Sequence, residues 1–199
     1  MTVRVDTPPR TERERTGGFI VIAAMAIVMW TVEVVDIVAG DLDSAGIQPR
    51  DADGLPGIVV SPFLHSGFGH LIGNTIPFLV LGAAIAVGGL MRTLLVTGIV
   101  AVVGGVGTWL TAPSNTVVIG ASGLVFGFAT YLVARGAYSR MPLHFIGGLV
   151  VLVIYGSTLL VGLVPTPGVS WQGHLFGAVG GVVAARVVHR SHATVADPA

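Results

Sequence analysis

Long apolar runs broken by short polar segments dominate the chain from residue 19 onward. A helix needs about 20 mainly apolar residues to cross the hydrocarbon core of a bilayer. Six stretches read as such spans: 19–39, 68–90, 93–112, 117–136, 143–163 and 171–188. The second and third are divided near Met91 and Arg92. The pattern predicts an all-α membrane protein, a six-helix bundle over 19–189, flanked by polar, disordered tails at 1–18 and 190–199. The first run is too long for the apolar stretch of a signal peptide and lacks a clear small-x-small cleavage site, so it is read as a retained span.

Composition supports the membrane reading. Of 199 residues, 53% are hydrophobic and only 10% charged, against about 25% charged in a soluble domain. Mean hydropathy is +0.87. Such a chain cannot cover a water-exposed surface, which excludes a soluble dinucleotide-binding enzyme, a nucleic-acid binder and a secreted disulfide scaffold. There is no Cys, so thiol nucleophiles and disulfides are excluded.

All ten cationic residues are Arg. With the N-terminus inside, the inner segments hold Arg4, Arg10, Arg13, Arg15, Arg92, Arg135, Arg140, Arg186 and Arg190, and the outer side holds only Arg50. The positive-inside rule then puts both termini in the cytoplasm. The one long outer loop, 40–67, carries Asp41, Asp43, Asp51 and Asp53. Between Gly54 and Ala196 there is no carboxylate, so chemistry in that stretch must use His, Ser, Asn, Arg or backbone.

Polar groups inside spans are costly, and they are functional candidates by default. The second span opens HSGFGHLIGNT, with His70 and Asn74 four apart on one helix face and His65 just before them; the pair also suits a helix cap. The fourth opens VIGASGLVFGF, with Ser122 between Gly120 and Gly123 at a helix start, where free N–H groups can hold negative charge. Ser is equally an ordinary N-cap residue. The sixth opens WQGHLFGAVGG and sets His174, Gly177 and Gly181 on one face, while Gly123 and Gly127 make a matching small-residue pair in the fourth. Plain bundle packing explains such glycines too. Glu33 and Asp36, near the outer end of the first span, suit an interface with headgroups or the loop.

Depth links these residues. Spans two, four and six run the same way, and His70, Asn74, Ser122 and His174 all fall in their first turns. A nucleophile, a base and polar donors at one level are the parts of acyl-transfer chemistry.

Taken together, H-x-x-x-N at His70 to Asn74, G-x-S-G at Gly120 to Gly123 and H-x-x-G-x-x-x-G at His174 to Gly181 resemble the rhomboid family of intramembrane serine proteases, in its six-helix bacterial form. The likeness covers roughly 55–188. It implies Ser122 as nucleophile, His174 as general base, and an oxyanion hole of the Ser122 backbone N–H with His70 and Asn74. It also implies a supporting aromatic at Phe126. Substrates would be single-span membrane proteins, entering between spans two and five and cut near the outer face of a bacterial plasma membrane, with no cofactor and no metal. One departure stands out: many members carry a Trp-Arg pair ahead of the histidine matching His65, where this chain reads LPGIVVSPF.

Two other classes compete. A catalytically silent relative would bind membrane helices without cutting them; members of that kind usually lack the serine or the histidine. A channel or transporter would use His70 and His174 as a proton path, but polar residues do not continue inward. A metal site of His65, His70 and His174 has no supporting carboxylate outside the first span.

Overall fold

The computed structural model describes residues 12–139 and 141–195. Among these, the long elements are all helical: α1 Glu12–Ala39, α3 Phe68–Ala86, α4 Leu90–Thr111, α5 Ser122–Ser139, α6 Pro142–Val161 and α7 Trp171–Val195, with a one-turn helix α2 at Gly57–Val60. The tail up to residue 11, Arg140 and the last four residues lie outside the described residues, so Arg4, Arg10 and Arg140 of the charge argument do too.

Four helices, α1, α3, α4 and α6, are long and apolar enough to cross a membrane. The other two predicted spans correspond to α5 and α7, whose compositions are less apolar for a physical reason. They share the most extensive helix–helix contact of the bundle, and α4 covers α7 further. A helix shielded by neighbours can be built from small residues rather than large apolar ones. The core joins Leu71, Phe78 and Ile85 of α3, Val96 and Val100 of α4, and Phe128 and Tyr131 of α5. Large apolar side chains stay exposed along α1 and α6, among them Ile27, Val38, Leu143 and Val153. Such a surface is costly in water and suited to hydrocarbon.

The fourth predicted span, read from 117, is helical only from Ser122, and three other boundaries differ from the sequence reading. The predicted polar tails are helical where described: α1 begins at Glu12, and α7 continues past His189 to Val195. The break between α3 and α4 falls at Val87–Gly89, not at Met91 and Arg92, which lie in the first turn of α4. Gly89 has φ +90°, a left-handed value that favours glycine and ends the helical path there.

The loop 40–67 is compact. It winds through 3-10 turns at Leu42–Ala45, Ala52–Gly54 and Ser61–Phe63. Asp36 accepts the Leu42 N–H at 2.6 Å, tying α1 to the start of the loop. Glu33 is buried beside the Gly67 backbone at the end of the loop. Both carboxylates thus serve the loop rather than open solvent.

Arg50, in a left-handed conformation (φ +61°), fastens the middle of the loop to α4. Its backbone N–H reaches the Trp109 carbonyl at 3.0 Å. Its guanidinium donates to the Leu110 carbonyl at 3.0 Å and to the Ser114 hydroxyl. The Trp109 indole returns a bond to the Asp51 carbonyl at 2.8 Å. The last carbonyls of a helix lack intrahelical donors and sit at the negative end of its dipole, so a guanidinium suits them. The chain lacks the Trp-Arg pair at the expected place, and Arg50 with Trp109 anchors the loop instead.

Candidate active site

The segment leading into α5 is held by the 40–67 loop at three points. Ile47 and Val118 exchange backbone hydrogen bonds of 2.9 Å in each direction, and the Gly120 N–H reaches the Ser61 carbonyl at 2.8 Å. The Ala121 N–H points to His65 Nε2 at 3.4 Å. Ser122 follows as the first residue of α5. The loop therefore sets where the serine emerges.

Gly120 has φ +108°. A methyl group there would stand 2.7 Å from Cε1 and 2.8 Å from Nε2 of His70. Only glycine allows both this backbone shape and the approach of the His70 ring. Ser66 Oγ lies 3.3 Å from His70 Nδ1. His65 packs edge-on to His70, with ring centroids 5.1 Å apart. Burial, and to a lesser degree His70, push the His65 imidazole down to about 4, against the pull of the Phe63 backbone. His65 is neutral near pH 7 and can accept the Ala121 N–H. Asn74, one turn beyond His70, is buried, and among the described residues its amide nitrogen has no partner.

Close contact of α5 with α7 brings His174 to the serine. A methyl group on Gly177 would lie 2.2 Å from the Gly123 carbonyl oxygen, and one on Gly181 would lie 2.0 Å from that of Gly127. The two glycine pairs read from the sequence thus face each other. His174 is buried, with Nε2 2.9 Å from Ser122 Oγ and Nδ1 2.7 Å from the Gly162 carbonyl. A carbonyl can only accept, so Nδ1 carries the proton and Nε2 has a free lone pair facing the serine hydroxyl. Phe126 lies flat on the imidazole, centroids 4.1 Å apart and planes tilted 6°.

Ser122, His174, His70 and Asn74 open on one cavity of about 720 Å³, bounded by α3 on one side and α6 on the other. Among the described residues, no three His, Asp or Glu side chains are grouped to hold a metal ion. Two contributors have little signature in the sequence. Gly162 looks like an ordinary helix end, yet a side chain there would strike Phe126 and approach His174 Nδ1. Ser66 looks like a loop residue but sits on His70.

The arrangement can do nucleophilic chemistry. A hydroxyl faces a lone pair on a fixed imidazole, and backbone N–H groups of a helix start and an unpartnered amide lie on the same cavity.

A family model described as the rhomboid domain matches residues 53–191. An uncharacterized protein of Mycobacterium tuberculosis is 43% identical over 194 residues, covering 92% of this chain and 80% of the relative. An uncharacterized protein of Mycobacterium leprae is 42% identical over 192 residues, covering 89% of this chain and 75% of its own. The Bacillus subtilis protein YdcA, named after the rhomboid proteases, is 29% identical over 134 residues, 62% of each chain.

Proposed function

The chain belongs to the rhomboid family, and from that premise we propose that it is an intramembrane serine endopeptidase with Ser122 as nucleophile and His174 as general base. The observation that carries this reading is the hydrogen bond from Ser122 Oγ to His174 Nε2, with Nδ1 engaged by the Gly162 carbonyl. In the proposed scheme His174 takes the serine proton as Oγ attacks the substrate carbonyl. The oxyanion receives hydrogen bonds from the Ser122 N–H, the Asn74 amide and His70, whose Nε2 carries a proton when Ser66 donates to Nδ1. His174 then protonates the leaving amine, and water, activated by the same imidazole, hydrolyses the acyl-enzyme. Gly120 and Gly123 keep this corner open, and Phe126, Gly177 and Gly181 hold His174 in place.

The substrates are single-span membrane proteins. Their segments enter from the bilayer between α3 and α6 and unwind locally, because helical amides are already hydrogen-bonded. The protein crosses a bacterial plasma membrane six times, α5 and α7 included, as one membrane domain over 19–189. Both termini are cytoplasmic, and the cut falls near the outer face. The scheme uses no cofactor or metal.

The test is labelling of detergent-solubilised protein with a fluorophosphonate probe, alongside cleavage of a model transmembrane substrate. Wild type is expected to label and cleave, while Ser122→Ala and His174→Ala do neither. Equal labelling of wild type and Ser122→Ala overturns the reading. Binding of membrane helices without labelling or cleavage supports a silent relative instead.

A further inference from the structure

The cavity that contains Ser122 and His174 extends sideways to walls that the proposed reaction does not use. One wall is α3 at Gly69, Gly73 and Pro77; the other is α6 at Ser157 and Thr158. The two helices are not packed together here, because α6 rests on α5 and makes no extended contact with α3. Among the described residues, a methyl group built on Gly69 or Gly73 meets nothing within 4 Å beyond the adjoining backbone of α3, so a second chain can approach that face at backbone distance. Pro77 lies inside α3 and has no N–H, which deprives the Gly73 carbonyl of its usual helical donor. Opposite, Ser157 and Thr158 interrupt an otherwise apolar helix surface, and both are exposed. Among the described residues, neither hydroxyl has a hydrogen-bond partner.

An unwound transmembrane segment has the complementary need. Each residue pulled out of a helix exposes an N–H and a C=O that hydrocarbon cannot satisfy. A hydroxyl can serve either group, since it both donates and accepts. We propose that Ser157 and Thr158 bind the substrate backbone. Their hydroxyls take up the hydrogen bonds the segment loses as it unwinds, while its other edge lies on Gly69 and Gly73, with the Gly73 carbonyl as a further acceptor. This rests on the protease reading and assigns its substrate-binding wall. The ligand recognised is an extended peptide backbone.

The experiment compares wild type, Ser157→Ala/Thr158→Val and Ser157→Thr/Thr158→Ser in proteoliposomes. Cleavage of a transmembrane substrate is measured beside Ser122 labelling by a small fluorophosphonate, which reaches the serine without crossing α6. The Ala/Val variant should lose about tenfold in kcat/KM, mostly through KM, with an unchanged labelling rate. The Thr/Ser swap, which keeps both hydroxyls, should stay within about twofold of wild type. A second variant, Gly73→Leu, fills the open face of α3 and should block cleavage while still labelling. Wild-type kcat/KM in the Ala/Val variant overturns the proposal, as does a swap that is equally impaired. A parallel loss of labelling also overturns it, since that marks a structural role. Failure of the wild type itself to label overturns the protease reading instead.

Discussion

Gly177 stands over the carbonyl oxygen of Gly123, so close that a methyl group in its place would lie 2.2 Å from that atom. The obstacle is main chain, which cannot rotate away, so any side chain at this position must push α7 off α5. Gly177→Ala should cost about 1–3 kcal/mol of stability. It should also lower activity beyond that loss, because the displacement separates His174 from Ser122. Thermal unfolding and fluorophosphonate labelling, measured at a temperature where the variant is fully folded, check the two effects separately. Gly69→Ala, which adds its methyl to open space, is expected to leave stability unchanged.

Asn74 has a buried amide nitrogen without a partner among the described residues, the condition expected of a donor whose acceptor forms only during the reaction. Asn74→Ala should slow kcat by hundreds-fold, equivalent to about 2.7–4 kcal/mol of transition-state stabilisation. The melting temperature should barely move. Single-turnover cleavage beside a melting curve decides the point: a large drop in melting temperature with modest loss of kcat would make Asn74 a packing residue.

His65 makes stability fall with acidification. Its imidazole titrates at about 4 in the fold, against 6.5 for the unperturbed group. Between those values the unfolded chain binds the additional proton, so lowering the pH favours unfolding. The stabilisation is complete above pH 6.5 and is lost as the pH falls toward 4, by at most about 3 kcal/mol. His65→Gln supplies an acceptor for the Ala121 N–H without titrating. Its melting temperature should therefore depend less on pH than that of the wild type across this window.

Arg50 combines a left-handed backbone with hydrogen bonds to the end of α4. Arg50→Ala should cost about 1–2 kcal/mol, since these bonds are charge-assisted but solvent-accessible. Arg50→Gly loses the same side-chain bonds yet accepts φ +61° freely, and should be about 1 kcal/mol more stable than the Ala variant. Chemical denaturation of the three proteins gives the order. Activity should follow it, because the loop that Arg50 anchors carries the acceptors for Val118, Gly120 and Ala121.

Much of this was legible in the sequence because the bilayer imposes simple rules. Apolar runs located α1, α3, α4 and α6; helix spacing paired His70 with Asn74 and a helix start singled out Ser122 as candidates, while their roles came only with the resemblance to the rhomboid family. The glycine pairs were readable because close helix contact tolerates little else. Other features depend on long-range contacts that local pattern does not encode. The 40–67 loop reads as polar and irregular, and only its bonds to Val118, Gly120 and Ala121 reveal it as the support for Ser122. The break at Val87–Gly89 was displaced in the reading because Arg92 looks like a boundary, although two glycines end α3 first. Gly162 contributes a backbone atom, which no choice of side chain announces.

The Gly162 carbonyl has a genetic consequence. A carboxylate orienting the histidine could be erased by one substitution, whereas a main-chain oxygen has no codon of its own. Point mutation at position 162 can crowd the ring, but it leaves the oxygen in place. Losing this acceptor requires moving the end of α6. The orientation of His174 is therefore inherited through the path of the backbone, robust to changes of residue identity and sensitive to insertions or deletions between α6 and α7.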